Sequence, residues 1–381
     1  MNTQVLEMKR GGDVEQPRPL ELGLVVPVLN EVDNIAPLVE RLAMALIGIE
    51  YELIFVDDGS RDGTPARIEA LALHDRRVRL IRRHGRRGLS SAVVEGMCAT
   101  VAPVVAVIDG DLQHDESVLP RLIEPLLEDK AELAVGTRYD ESGQGSVGEW
   151  DARRVSISRF ATKLASPVMK TRLSDPMSGF FAIRRDTLLE IVPNLSTVGY
   201  KLLLDIVASA GRPLKLVEIP YTFGVRVAGE SKLDSAVVLE YIELLLEKMV
   251  GRWVPPKLIL FSAVGATGVI VHMSVLALMT LLAGYGFTIA QAAAVGVAMV
   301  YNFTINNLTT YRDRRLTGLA WFKGLASFVL LCSLGGFANV GVGSIVFEQT
   351  HGMWWLGGLA GIAVGTVWNF VATSWLTWRK K

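Results

Sequence analysis

Two regimes of hydrophobic patterning divide this chain. From Leu22 to Gly136 short apolar runs alternate with amphipathic stretches. Leu22 to Val28, Tyr51 to Val56, Val78 to Ile81, Val104 to Ile108 and Leu133 to Gly136 read as strands; the stretches between them read as helices, the first running from Asn30 to about Ile47, others from about Leu89 to Thr100 and Glu116 to Leu127. Asn30 stands where a helix cap is expected, and Asp62-Gly63-Thr64-Pro65 opens the second helix. This alternation predicts an α/β domain with a mostly parallel sheet and right-handed crossovers. Past Lys257 the pattern changes. Apolar stretches near Lys257–Leu282, Phe287–Leu308, Phe322–Phe347 and Met353–Thr377 are each long enough to cross a hydrocarbon core of about 30 Å. Between the regimes, Leu233, Val237, Tyr241, Leu244, Leu245 and Met249 recur at helical spacing, with Glu240, Glu243 and Glu247 on another face. Such a helix either packs on the soluble core or lies in the membrane interface. The expected division is a loose tail over 1–19, the α/β domain over 20–230, an amphipathic linker over 231–256 and a four-helix transmembrane domain over 257–381.

Composition sharpens this picture in three ways. Half the residues are hydrophobic and the mean hydropathy is +0.34, an average over a charged first part and a nearly uncharged second. Formal net charge is zero, so charge balance offers no case for nucleic acid. Cys98 and Cys332 lie in different parts, so no disulfide is expected and the soluble part is expected in a reducing compartment. The polar stretch before Pro19 has no signal-peptide pattern. The Arg312-Asp313-Arg314-Arg315 loop and the Arg379-Lys380-Lys381 end are basic, whereas the turns at Gly284 to Gly286 and Glu348 to Gly352 hold no Lys or Arg. The positive-inside rule then places both termini in the cytoplasm, at the plasma membrane if the cell is prokaryotic. Asn302, Asn306, Asn307, Asn339 and Asn369 fall in or near the spans; bonding between helices is the expected role, ahead of a polar path.

The candidate chemistry centres on Val104 to Gln113, V-V-A-V-I-D-G-D-L-Q. A buried strand ends in Asp109 and Asp111, and two carboxylates so close repel unless a cation lies between them. A divalent cation carrying a diphosphate meets that need with hard oxygen ligands; the plain alternative is a pair of turn aspartates closing a strand. Asn30/Glu31 and Asp57/Asp58 also stand at strand carboxyl ends, which face one crevice in this architecture. Gly-x-Gly-x-x-Gly after the first strand, a Walker A sequence and a Gly-x-Ser-x-Gly elbow are all absent.

Seven motifs in order, V-V-P-V-L-N-E, F-V-D-D-G-S-R-D-G-T, I-D-G-D-L-Q-H, G-T-R-Y, D-P-M-S-G-F-F-A, P-Y-T-F-G-V-R and G-E-S-K-L, resemble the polyprenyl- and dolichyl-phosphate mannosyltransferases, inverting family 2 glycosyltransferases with a GT-A nucleotide-sugar fold. The last four spans resemble the GtrA-like domain attached to some members. The resemblance implies mannose transfer from GDP-mannose to a polyprenyl (dolichyl) phosphate at the cytoplasmic face. It implies a donor site at Pro27, Leu29, Glu31, Asp57, Asp109, Gly110, Asp111 and Gln113, with Mg²⁺ or Mn²⁺ on Asp109, Asp111 and Gln113. His114 beside them suits such an ion less well and reads as a helix-start residue; Asp58 reads as shaping the Gly59 turn. The acceptor phosphate would rest on Arg138, Arg154, Ser158, Arg226 and Lys232; the guanidinium forks of the arginines suit phosphate oxygens. Arg154 and Ser158 share a helix face, with Arg153 an open alternative to Arg154. Asp109, Asp111, Arg138 and Arg226 would carry catalysis, while Asp175 has a structural or sugar-orienting role. UDP-glucose remains an alternative donor, a lipid-linked sugar transporter or scaffold an alternative class, and a homo-oligomer through the membrane helices an open expectation.

Overall fold

The apolar runs of the first half become the strands of one sheet because residues apolar at every position can only be satisfied by burial on both faces. The computed structural model describes residues 18–85, 88–139, 164–196, 201–224, 235–251, 254–350 and 353–379. They divide into two units, Met1–Lys232 and Leu233–Lys381.

In the first unit the described strands are β1 Leu22–Val28, β2 Tyr51–Asp57, β3 Val78–Arg82, β4 Val104–Val107, β5 Leu133–Thr137, β6 Phe181–Arg184 and β7 Leu216–Pro220. They form one sheet in the order β3-β2-β1-β4-β6-β5-β7. All neighbours pair in parallel except β6, which runs antiparallel to both β4 and β5. The fold is thus the mostly parallel α/β arrangement expected, with an antiparallel strand built from the F-F-A part of the D-P-M-S-G-F-F-A motif. Side chains of β1 alternate between two cores. Leu24 and Val26 face Leu38 and Leu42 of α1 (Val32–Ala45) and Leu122 of α4 (Leu119–Leu127). Val25 joins Val93 and Met97 of α3 (Leu89–Cys98), Leu188 of α5 (Arg185–Ile191) and Leu203 of α6 (Leu202–Ser209).

One local expectation is corrected. Asn30 does not cap α1; the N-cap is Glu31, which makes no side-chain cap bond. Asn30 takes a left-handed backbone, φ 58°, and its Oδ1 accepts the Arg61 N–H at 2.9 Å. The cap arrives from the next loop instead: Asp62 Oδ2 accepts the Val32 N–H at 3.1 Å and Thr64 Oγ1 the Glu31 N–H at 2.9 Å. Thr64 and Pro65 begin α2 (Thr64–Ala72), so the loops after β1 and β2 are stitched together.

The second unit holds α7 (Ser235–Val250), α8 (Pro256–Ala277, continued by a π turn over Leu278–Leu282), α9 (Phe287–Leu308), α10 (Leu319–Gln349) and α11 (Trp354–Leu376). Four stretches, Pro256–Leu282, Ile289–Leu308, Leu319–Val346 and Leu359–Leu376, are long and apolar enough to span a membrane. The amphipathic stretch of α7 belongs to this unit: Arg312, between α9 and α10, pairs with Glu240 at 3.0 Å and Glu243 at 3.4 Å. The helices pack chiefly as two hairpins, α8 with α9 and α10 with α11.

The asparagines behave in three ways. Asn306 bonds locally: its Nδ2 donates to the Asn302 carbonyl at 2.9 Å and its Oδ1 accepts the Thr310 hydroxyl at 2.8 Å. Asn307 bonds between elements: its amide exchanges two hydrogen bonds with the Leu316 backbone, and its Oδ1 accepts the Trp378 indole N–H at 3.1 Å. Asn302, Asn339 and Asn369 instead lie over glycines of the partner helix, Gly268, Gly361 and Gly335, where an added Cβ would collide with the amide. Gly335→Val should therefore push α10 off α11 and cost about 1–3 kcal/mol, lowering the melting temperature in detergent. Gly336→Ala, at a position with open space around it, should leave it unchanged.

Candidate active site

β1 and β4 are adjacent and parallel, and from them the chain adds strands in opposite lateral directions, β2 on one flank and β5 on the other. In open α/β sheets a ligand sits outside the strands' carboxyl ends at such a reversal of strand order. Leu29 to Glu31 follows β1 there, and Asp109 to Gln113 follows β4. The two approach closely: a Cβ on Gly110 would lie 3.2 Å from Val28 Cγ1 and 3.5 Å from the Pro27 carbonyl oxygen. Pro27 is buried within β1, Leu29 is partly buried, and Glu31 Oε2 accepts from Asn34 Nδ2 at 2.6 Å. At the end of β2, Asp57 is only 2% exposed and accepts the Gly59 and Ser60 N–H groups, each at 3.2 Å. Asp57 rather than Asp58 thus ties the Gly59 turn. Asp58 pairs with the buried Arg83 and accepts the Gly88 N–H at 2.8 Å.

The loop after β4 is held in an unusual shape. Leu112 has φ 61°, a left-handed conformation that costs an ordinary side chain about 1–2 kcal/mol. Neighbouring contacts impose it: Gln113 N–H bonds Asp111 Oδ1 at 3.2 Å, Gln113 Nε2 donates to the Gly224 carbonyl at 3.1 Å, and the Gly224 N–H bonds the Gln113 carbonyl at 2.7 Å. On the other side Gly179 leaves room for Asp109, since a Cβ there would lie 2.6 Å from Asp109 Oδ2.

These residues fit a hard divalent cation. Asp109, Asp111 and Gln113 supply two carboxylates and an amide oxygen, the donor chemistry of Mg²⁺ or Mn²⁺, and the clearance at Gly179 keeps the Asp109 carboxylate accessible. Among the described residues no three His, Cys, Asp or Glu side chains converge as a complete cage. An ion here would take the rest of its shell from ligand and water, as Mg²⁺ commonly does with phosphates. His114 is engaged elsewhere. Its ring is buried, with Nδ1 2.7 Å from the Tyr221 hydroxyl and Nε2 3.2 Å from Asp109 Oδ2. It precedes a 3-10 turn whose N-cap is Asp115, so it starts no helix; it reaches into the core.

Arg138, following β5, is gripped by Asp175: Nε donates to Oδ2 at 2.6 Å and Nη2 to Oδ1 at 2.7 Å. Asp175 is fully buried. Burial opposes the Arg138 charge, but the two Asp175 bonds prevail and raise its pKa. The guanidinium also lies over the Phe223 ring at 5.7 Å. Asp175 is therefore the anchor that fixes the Arg138 plane, consistent with a structural role. Arg153, Arg154, Ser158, Arg226 and Lys232 lie outside the described residues.

Two further groups enter the cluster without having been singled out by any motif argument. Tyr221 is buried against His114, Phe180 and Phe223. Lys201, the residue before α6, is electrostatically coupled to Arg138, Asp175 and Asp109; burial first, and Arg138 second, lower its pKa from the ordinary 10.5. Tyr221 stood inside the P-Y-T-F-G-V-R motif; for Lys201 a lysine ahead of an apolar helix offered no usable signal. Cations and carboxylates around one crevice can hold an anionic ligand and a metal ion together.

Comparison with known proteins follows the same division. Residues 24–192 match the family model of glycosyl transferase family 2, and residues 260–378 that of the GtrA/DPMS transmembrane domain. A dolichol-phosphate mannosyltransferase of Pyrococcus furiosus is 33% identical over 363 residues, 94% of this chain and 99% of that one. Another from Saccharomyces cerevisiae is 38% identical over 250 residues, 64% of this chain and 92% of that one. Glucosyl-3-phosphoglycerate synthase from Mycobacterium tuberculosis, solved with Mn²⁺, UDP-glucose and phosphoglyceric acid, aligns over 60% of this chain and 79% of that one at 22% identity, with a TM-score of 0.46.

The partly buried Lys201 ammonium predicts a conflict between stability and ligand binding. A lysine whose folded pKa lies below its unfolded value destabilises the fold while charged, and the penalty fades as pH rises through the folded pKa toward 10.5. Lys201→Met should melt higher than the parent at pH 7 without ligand. That gain should shrink as pH approaches 10, while stabilisation by added nucleoside diphosphate falls at pH 7; thermal melts across pH check both.

Proposed function

We propose that this chain, which belongs to the dolichol-phosphate mannosyltransferase family of glycosyl transferases, transfers mannose from GDP-mannose to a polyprenyl phosphate, with inversion, at the cytoplasmic face of a membrane. The observation that carries this reading is the close approach of the Asp109–Gln113 loop to the carboxyl end of β1, at the β1/β4 reversal of strand order. The names of the relatives, and the coverage of nearly the whole length of one of them, support the donor sugar and the lipid acceptor. Four apolar helices and the basic Arg312 to Arg315 loop support membrane residence with the catalytic unit on the cytoplasmic side.

In this reading Pro27, Leu29, Glu31 and Asp57 line the nucleoside end of the donor, and Asp109, Gly110, Asp111 and Gln113 its diphosphate end. A Mg²⁺ or Mn²⁺ ion on Asp109, Asp111 and Gln113 would neutralise the charge growing on the departing diphosphate. Arg138, its plane fixed by Asp175, orients the acceptor phosphate together with Arg154, Ser158, Arg226 and Lys232. No general base is needed to make the nucleophile, because a phosphate monoester is already anionic near pH 7. One of its oxygens attacks the anomeric carbon while the sugar–diphosphate bond breaks on the opposite face. Rate then comes from positioning and from fixed charge rather than from proton transfer.

The deciding assay supplies purified full-length protein with polyprenyl phosphate, Mn²⁺ or Mg²⁺, and labelled GDP-mannose or UDP-glucose in parallel. Organic-extractable label is expected from GDP-mannose alone; label from UDP-glucose alone would overturn the donor assignment. Asp111→Ala should lower the rate at least about 100-fold, matching the effect of chelation. Full activity of that variant would remove the metal site from the account.

A further inference from the structure

We propose that His114 is a positioning residue that aims the Asp109 carboxylate at the bound cation, and that Tyr221 sets its tautomer. This rests on the metal reading above.

The geometry leaves little freedom. His114 is 5% exposed, and its ring is walled by Phe180, Tyr221 and Phe223 at centroid distances of 5.2, 5.6 and 5.4 Å. Its two nitrogens face different groups: Nε2 lies 3.2 Å from Asp109 Oδ2, Nδ1 2.7 Å from the Tyr221 hydroxyl. An ionised carboxylate only accepts hydrogen bonds, so the Asp109 contact requires the proton on Nε2. In the neutral ring Nδ1 is then an acceptor, and the Tyr221 O–H donates to it. The chain Tyr221 O–H, His114 Nδ1, His114 Nε2–H, Asp109 Oδ2 thus has one consistent direction. It engages Oδ2 and turns Oδ1 into the oxygen presented for coordination. Gly179 completes the arrangement, since any side chain there would press on Oδ2.

A ring that merely filled the aromatic box would leave this direction without consequence. Groups that hold a metal ligand from behind typically contribute about 10–100-fold to metal affinity or activity, and the effect here should fall in that range.

The test measures Mn²⁺ binding to the full chain in detergent with saturating GDP, from the electron paramagnetic resonance of free Mn²⁺, beside melting curves without ligand. His114→Phe keeps the ring volume and removes both nitrogens; it should weaken Mn²⁺ binding about 10–100-fold with little change in melting temperature. His114→Gln, whose amide N–H can stand where Nε2–H stood, should recover most of the affinity. Tyr221→Phe frees the tautomer and should lie between. In turnover the KM for Mn²⁺ should rise more than kcat falls. Wild-type affinity in folded His114→Phe overturns the proposal. If that variant does not fold, wild-type affinity in Tyr221→Phe overturns it instead. A wild-type protein that binds no Mn²⁺ with GDP present overturns the metal reading as well, which separates the two failures.

Discussion

One pairing organises the first unit: β1 beside β4, parallel, with Val25 opposite Val107. From β1 the chain builds outward through β2 and β3, then returns to start again on the other flank. The reversal of strand order falls between β1 and β4, and open α/β sheets place ligands outside the carboxyl ends at such a point. Glu31, Asp109 and Asp111 come just past the carboxyl ends of β1 and β4, and Asp57 closes β2. A sheet in which β4 lay outside β3 would keep each motif intact and scatter the carboxylates.

Charge inside the crevice is balanced at a cost. Burying the Arg138–Asp175 pair removes two charges from water, and such pairs are poor sources of net stability. The bidentate geometry supplies orientation instead, fixing one guanidinium plane. The same holds for Leu112, whose left-handed backbone is disfavoured and is kept in place by bonds linking Gln113 to Gly224. Strain and buried charge gather where the chemistry needs fixed positions, while the two apolar cores on either side of the sheet carry the stability.

The second unit answers to different physics. Helices in a hydrocarbon surround gain little by hiding apolar surface from one another, so contact depends on close approach and on polar groups. Glycines on one helix receive asparagine amides from the next at Gly268, Gly335 and Gly361. At one end of the bundle Trp378 stacks on Tyr311 with ring centroids 4.0 Å apart, while Asn307 holds its indole N–H. The end of the last span is thereby fixed to the turn between α9 and α10. Arg312 meets Glu240 and Glu243 of α7 there, so part of that loop's positive charge is matched within the protein.

The sequence by itself determined what depends on near neighbours along the chain. Strands β1 to β5 are legible as apolar runs, the four spans as long uncharged stretches, and the Asp109–Asp111 pair as a strand-end motif, because hydrophobic periodicity and turn chemistry act over a few residues. The family was legible too, since seven motifs in a fixed order outweigh any one of them. Only the tertiary structure decided which distant groups meet. Asp62 caps a helix that Asn30 had seemed placed to cap, because Asn30 takes a left-handed turn and the β2 loop folds over it. Strand β6 enters antiparallel between β4 and β5 and brings Gly179 against Asp109. His114 turns inward to Tyr221, and Lys201 comes under the charge of Arg138, across separations that no local pattern encodes. Sheet order and long-range closure set those contacts, and both are properties of the packed chain as a whole.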